Sequence, residues 1–260
     1  VREKSGGGMK QGKLIGASLG PGDPQLITRK AWDALHSGAQ WAYPIRKKGS
    51  DSYALGIAQR AQLTTPDDAL ALIFPMTHDA EKLARYWLEA ANSVLATLNT
   101  GRDVVFLVEG DASTFSTFSH LARTLRGLAG EVVIDTIPGV PAYNAACAAL
   151  AQPLADVDDT IAIVPAAYGV AFVENLLTDF DTLVLMKVKP ILDDIIDLLE
   201  RKHLLAHSTF IEKVGAHEER IVHDITQLRG TKVNYLSLML VKNPARTRGE
   251  IQKGCRKKTA

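Results

Sequence analysis

The sequence predicts an α/β protein built from two domains, and three observations carry that reading. In the first half of the 260 residues, short apolar runs alternate with stretches of helical periodicity, the pattern of a mainly parallel sheet covered by helices. Beyond about residue 140 the apolar runs lie closer together, as they do in a sheet with antiparallel members. Between the halves, "IPGVPA" (Ile137 to Ala142) sets two prolines around a glycine and interrupts the alternation. The length suits two modest domains, each large enough to bury a core without a disulfide or metal staple.

In chain order, "KLIGASL", "AQWAYP", "ALALIFP", "DVVFLV" and "EVVIDTI" are short and rich in branched residues, and read as strands. Between them "PQLITRKAWDALHS", "SYALGIAQRAQL", "AEKLARYWLEAANSVLATLNT" and "FSTFSHLARTLRGL" space their apolar residues three and four apart and read as helices. Thr100 and Gly101 close the third of these as a C-cap. A helix of small side chains, "YNAACAALAQPL", follows the proline-glycine break. Five more strands are predicted at "TIAIVPA", "TLVLMKV", "HSTFIEK", "ERIVHD" and "NYLSLMLV", with helices near 170–177 and 190–200. The expected organisation is therefore a flexible lead-in or expression scar over 1–12, a first α/β domain over 13–137, a second over 143–243, and a disordered basic tail over 246–260 whose loss should cost little.

A formal net charge of +1 argues against a dedicated nucleic-acid binder. Without a run of about 18 apolar residues, no membrane span is predicted, and "VREKSGGGMKQG" lacks the apolar centre of a signal peptide. Cys147, among alanines, reads as core, and Cys255 falls in the basic tail, so the expectation is a reducing cytoplasm. The histidines include no H-E-x-x-H, and His203 and His207 fall in a helix-to-strand turn, so no metal site is predicted. Met76 and Met186 read first as core filler, although Met76 also ends a strand.

The stretch "LGPGDPQLIT", Leu19 to Thr28, is the first candidate site. A phosphate-binding P-loop needs a lysine that neither Gly20 nor Gly22 is followed by, and Gly16, Gly20 and Gly22 have the wrong spacing for a dinucleotide fingerprint. What remains is a tight turn in which Asp23 caps a helix and Pro24 occupies its first turn. "VEGDASTFSTF" (Val108 to Phe118) and "TIPGVPA" leave the next strands in the same way. In an open α/β sheet, ligands bind at the carboxyl ends of strands. Three glycine turns on one such edge predict a cleft.

Those motifs together, G-P-G-D-P near the start, Gly-Asp some 90 residues later, and P-G-V before a small-residue helix, resemble the tetrapyrrole methylase family across Lys13 to Asn243. "YPIRKKGSDSYA", "FPMTHD", "GDASTFSTF" and "YLSLMLVK" resemble one branch, the precorrin-2 / cobalt-factor II C-20 methyltransferases. The resemblance implies two α/β domains with a cofactor cleft between them, the class III methyltransferase fold. It implies methyl transfer from S-adenosylmethionine, leaving S-adenosylhomocysteine, to a reduced tetrapyrrole in a cytoplasmic homodimer. Position by position it places Pro21, Gly110, Asp111, Thr114, Pro141, Ala142, Lys187, Val214 and Gly215 at the cofactor. The acceptor is expected against Gly22, Asp23, Pro24, Tyr43, Ser52, Pro75, Met76, Thr77 and Ser116, with Asp23 as the carboxylate to test first as a base. "IRKKGS", Arg46 to Ser50, would form a cationic rim for an acidic macrocycle. The chain departs from the family pattern at Ala112, Glu109 and Pro141, where proline, a small residue, and serine or threonine are usual. Other regiospecificities, a ribosomal RNA ribose methyltransferase and a non-catalytic tetrapyrrole carrier are the competing readings.

Overall fold

A computed structural model describes residues 10–249. It divides into two compact units, the first running to Leu150 and including Lys213–Glu219, the second taking Ala151–Glu212 and the chain from Arg220.

Five parallel strands make the sheet of the first unit: β1 (Leu14–Ser18), β2 (Gln40–Ile45), β3 (Leu70–Ile73), β4 (Val104–Val108) and β5 (Ile134–Ile137). Their order is β3-β2-β4-β1-β5. The helices are α1 (Arg29–Leu35), α2 (Tyr53–Arg60), α3 (Ala80–Leu98), α4 (Phe118–Ala129) and α5 (Ala142–Ala149). From β1 the chain steps outward to β2 and β3, then returns past β2 to β4 and past β1 to β5. Right-handed crossovers in opposite directions put their helices on opposite faces. Ile15, Ala17, Val105 and Leu107 accordingly pack with Ala31, Leu35, Ile57 and Ala58 of α1 and α2. Their neighbours Leu14, Val104, Phe106 and Val108 pack with Val94, Leu98, Leu121 and Leu125 of α3 and α4. Because β1 and β4 are covered on both faces, every residue of each is buried, which explains their unbroken apolar runs. Each such large side chain contributes roughly 1.5–3 kcal/mol.

Helix ends follow local chemistry. Asp79 accepts the Lys82 amide at 3.0 Å to start α3, and Gly101, at φ 86°, donates to the Leu98 carbonyl at 3.0 Å just past its end. The helix expected over 24–37 is instead broken in two. Asp23 caps a single 3-10 turn, Pro24–Leu26, then Ile27 turns extended and Thr28 starts α1 by accepting the Ala31 amide at 3.2 Å. Two good N-caps within six residues outcompete one continuous helix.

The second unit holds β6 (Ile161–Pro165), β7 (Thr182–Met186), β8 (Ser208–Glu212), β9 (Arg220–Val222) and β10 (Ser237–Lys242), ordered β6-β7-β10-β8-β9. Only β6 and β7 are parallel, so the predicted mixed sheet is what forms. Helices α6 (Val170–Asp179) and α7 (Leu192–Arg201) bury Val173, Leu177, Ile195, Ile196 and Leu199 against Leu183, Leu185, Phe210, Met239 and Val241.

Two expected boundaries move. The proline-glycine break is a turn from β5 into α5, not a linker, so α5 stays with the first unit and the second begins at Ala151 rather than 143. The second unit also runs beyond 243. Asp181, 5% exposed, accepts from the Thr160 amide and hydroxyl, both at 2.8 Å, from Arg246 at 2.6 Å and from Arg248 at 2.8 Å. Arg248 also pairs with Asp159. The start of the expected disordered tail is thus anchored; 250–260, with Cys255, lie outside the described residues, as does most of the expected lead-in.

Candidate functional site

The carboxyl edge of the first sheet brings three turns together around β1 and β4, the pair from which the chain leaves toward opposite faces. Although β1 and β4 are parallel, Gly20 and Gly110 just past them exchange both backbone hydrogen bonds, at 3.2 and 2.7 Å, as an antiparallel bridge. Gly110 reaches this geometry at φ 68°, and the space where its Cβ would stand is open to 4 Å.

Beneath the bridge lies a polar knot. The buried Ser18 hydroxyl donates to the Ile137 carbonyl at 2.5 Å and accepts the Ala112 amide at 2.9 Å, joining β1 to both neighbouring turns. Asp111, 7% exposed, accepts the Gly139 amide on Oδ2 at 2.8 Å. Its Oδ1 accepts the Ser113 amide at 2.9 Å, the Ser113 hydroxyl, and the Thr114 hydroxyl at 3.4 Å. Burial pushes the Asp111 carboxyl up, but the hydrogen bonds from Ser113, Gly139 and Thr114 outweigh it and hold the group below its usual range. Gly139 fits only because it has no side chain: a Cβ there would lie 2.4 Å from that of Ser18 and 2.8 Å from the Gly110 carbonyl oxygen.

A second set of contacts fixes the Pro21-Gly22-Asp23 turn. From α2, Tyr53 donates its hydroxyl to the Pro21 carbonyl and Arg60 donates Nη2 to the Gly22 carbonyl, each at 3.1 Å. Tyr53 and Arg60 are two helical turns apart, on one face, and the guanidinium lies 5.5 Å from the Tyr53 ring centre. Burial pushes the Tyr53 hydroxyl up; Arg60 opposes that, and the Glu109 and Glu218 carboxylates add to it. On the other side, a Cβ on Gly22 would stand 2.7 Å from the Val214 carbonyl oxygen, and one on Gly215 would stand 2.9 Å from the Asp23 nitrogen. The turn is therefore held by backbone on one side and by α2 side chains on the other. Asp23 accepts the Gln25 amide at 2.8 Å, so the expected capping role is present.

The structure thus gathers Pro21, Gly22, Asp23, Gly110, Asp111, Thr114, Val214 and Gly215 in the first unit. Pro24 opens the 3-10 turn, Ser52 caps α2, and Pro141 and Ala142 begin α5. Pro75, Met76 and Thr77 follow β3 on the same edge, with Met76 57% exposed rather than core, and Thr77 accepts the Asp79 amide. Ser116 accepts the Phe118 amide at 3.0 Å. Tyr43 sits within β2, half-buried against the α1–α2 cluster. Lys187 follows β7 in the second unit at φ 55°. Sequence reasoning missed Ser18, Tyr53, Arg60 and Gly139. Gly139 had a signal in its proline-flanked motif; the pairing of Tyr53 and Arg60 with carbonyls more than thirty residues away had none. Among the described residues no three His, Cys, Asp or Glu side chains are placed to hold a metal, and no helix is long and apolar enough to cross a membrane.

The tetrapyrrole (corrin/porphyrin) methylases match residues 13–228 of the chain. The cobalt-precorrin-2 C(20)-methyltransferase of Salmonella typhimurium is 32% identical over 233 residues, covering 88% of this chain and 96% of that one. The cobalamin biosynthesis protein CobIJ of Mycobacterium tuberculosis is 29% identical over 239 residues, 89% of this chain; the chain spans only 46% of that relative's length. Among solved structures, the uroporphyrin-III C-methyl transferase of Thermus thermophilus, complexed with S-adenosylhomocysteine, superposes with a TM-score of 0.60 at 21% identity, covering 89% of this chain and 97% of that one.

Proposed function

The chain belongs to the tetrapyrrole (corrin/porphyrin) methylase family, and from that premise we propose that it methylates C-20 of precorrin-2 or of cobalt-factor II, a step of cobalamin biosynthesis. Tetrapyrrole methylases use S-adenosylmethionine. The observation that supports the C-20 reading most is the 32% identity to the Salmonella enzyme across nearly its whole length.

The residues present fit the cofactor. The open space at Gly110, beside a Gly20–Gly110 bridge that fixes two backbone turns, gives a ligand room to approach main chain. In this reading Pro21, Gly110, Asp111, Thr114, Pro141 and Ala142 of the first unit, with Val214 and Gly215 of its 213–219 segment, hold it. When bound, S-adenosylmethionine supplies an electrophilic methyl on a sulfonium, whose C–S electron pair stays with sulfur in S-adenosylhomocysteine. The chain's share is placement: turns locked by Ser18, Asp111, Tyr53 and Arg60 hold donor and acceptor in line, and such orientation supplies roughly 7–11 kcal/mol. The acceptor carbon gives its electron pair to the new C–C bond and sheds a proton, for which the Asp23 carboxylate on the first turn is the base to test first.

Incubating the enzyme with isotope-labelled S-adenosylmethionine and each acceptor tests this. One methyl on precorrin-2 or cobalt-factor II, located at C-20 by carbon NMR, with none on uroporphyrinogen III, is the expected result. A methyl at C-2, C-7 or C-11 would keep the family and overturn the regiochemistry.

A further inference from the structure

We propose that Phe115 contacts the acceptor, offering its ring as a surface for the flat macrocycle; this rests on the tetrapyrrole reading above. Two unfavourable features coincide at this residue. Its backbone is left-handed, at φ 53°, where a bulky aromatic residue is rarely found, and its apolar side chain is 49% exposed. Three residues on, Phe118 is 3% exposed and packs on Phe106, so one ring of the loop is buried and the other is half-exposed.

Neither feature is slack. Asp111 fixes the chain before Phe115 through Ser113 and Thr114, and the Ser116 hydroxyl fixes the Phe118 amide after it. Strain that persists because its surroundings over-determine it is found at ligand sites. The position is also telling. Phe115 is five residues past Gly110, in the turn leaving β4, while the other exposed apolar side chain on a turn of this edge, Met76, follows β3. Backbone turns serve a small polar cofactor; an exposed ring suits a broad π-surface, against which an aromatic contact is worth more than its area alone.

The test compares Phe115→Asn, which tolerates φ > 0 and removes the ring, with Phe115→Tyr, which keeps it. Cobalt-factor II binding is followed by its visible absorption, S-adenosylhomocysteine binding by calorimetry, and stability by thermal melting. Phe115→Asn is expected to keep cofactor affinity, to melt no lower than the parent, and to bind the macrocycle roughly tenfold more weakly; Phe115→Tyr should bind it normally. Undiminished macrocycle binding by Phe115→Asn overturns the proposal. So does a lowered melting temperature with lost cofactor affinity, which would make Phe115 a structural residue. A parent protein that binds no macrocycle at all would sink the functional reading itself, and this proposal with it.

Discussion

Each unit buries one aspartate at a junction of its chain, and the two are satisfied in opposite ways. Asp111, in the first unit, has no cation among its hydrogen-bond donors: it takes backbone amides and hydroxyls from its own turn and from the turn after β5. Asp181, in the second, is met by two arginines from the segment beyond β10 as well as by Thr160. A carboxylate ringed by short, neutral donors fixes the shape of loops. One paired with arginines fixes the position of a distant stretch of chain, and its loss leaves two cations facing a buried site. The contrast separates residues that shape the candidate cleft from residues that hold a domain closed.

The sharpest way to break that contrast is at the edge of the knot. Gly110→Val fills open space and forces a branched residue to φ > 0, so cofactor affinity should fall by roughly a hundredfold or more while circular dichroism stays native. Unchanged calorimetric affinity would mean the cofactor uses another turn. Asp181→Ala should cost about 3–5 kcal/mol in urea unfolding, the scale of a broken buried pair, without altering the affinity of the remaining folded protein. Removing Arg246 to Ala260 should reproduce most of that loss, contrary to what the basic composition of the segment predicts; an unchanged midpoint would show the arginine pairs to be idle. Asp111→Asn should cost less, about 1–3 kcal/mol, because its amide can still accept on one side. It should, however, weaken cofactor binding, which Asp181→Ala does not. The smallest effect is expected for Arg60→Met, which keeps the stem over Tyr53 but loses the Gly22 hydrogen bond, costing about 1 kcal/mol. A larger change in acceptor KM than in cofactor KM would place Arg60 on the acceptor side.

Acid sharpens the comparison further. For Asp181, burial alone would raise the carboxyl, but the Thr160 and Arg248 hydrogen bonds and the Arg246 charge outweigh it and hold the group far below its ordinary value. Asp111 is held below its ordinary value as well. A carboxylate depressed on folding stabilises fully above the unfolded pKa, about 3.9, and that contribution disappears as pH falls through the folded value. Stability should therefore decline below about pH 4, and Asp181→Asn should flatten that decline more than Asp111→Asn does.

What the sequence made legible tracks the range of the interactions involved. All ten strands among the described residues could be read, because burial on one or two faces writes itself into short apolar runs. The three turns were legible from glycine, proline and aspartate, whose backbone preferences are local. The split between the Pro24 turn and α1 was not, since two caps compete there and only the fold decides. Nor was Ser18: a small polar residue inside an apolar run carries no sign that it joins its strand to two neighbouring turns. The Tyr53–Arg60 pair and the Asp181 cluster join residues between 21 and 67 positions apart, a distance over which spacing carries no information. Asp23 and Asp111 were singled out from one motif pattern, yet only the structure separates a cap from a buried knot.

The place of β10 has a consequence for how the chain is made. Its six residues form the middle of the second sheet, between β7 and β8, and are the last strand among the described residues. During synthesis β7 and β8 must wait, edges unpaired, until Ser237–Lys242 has left the ribosome, whereas the parallel sheet of the first unit is complete once β5 emerges. Strands left waiting in this way are what chaperones shield, so slowing translation over the second unit should lower the yield of active protein more than slowing it over the first.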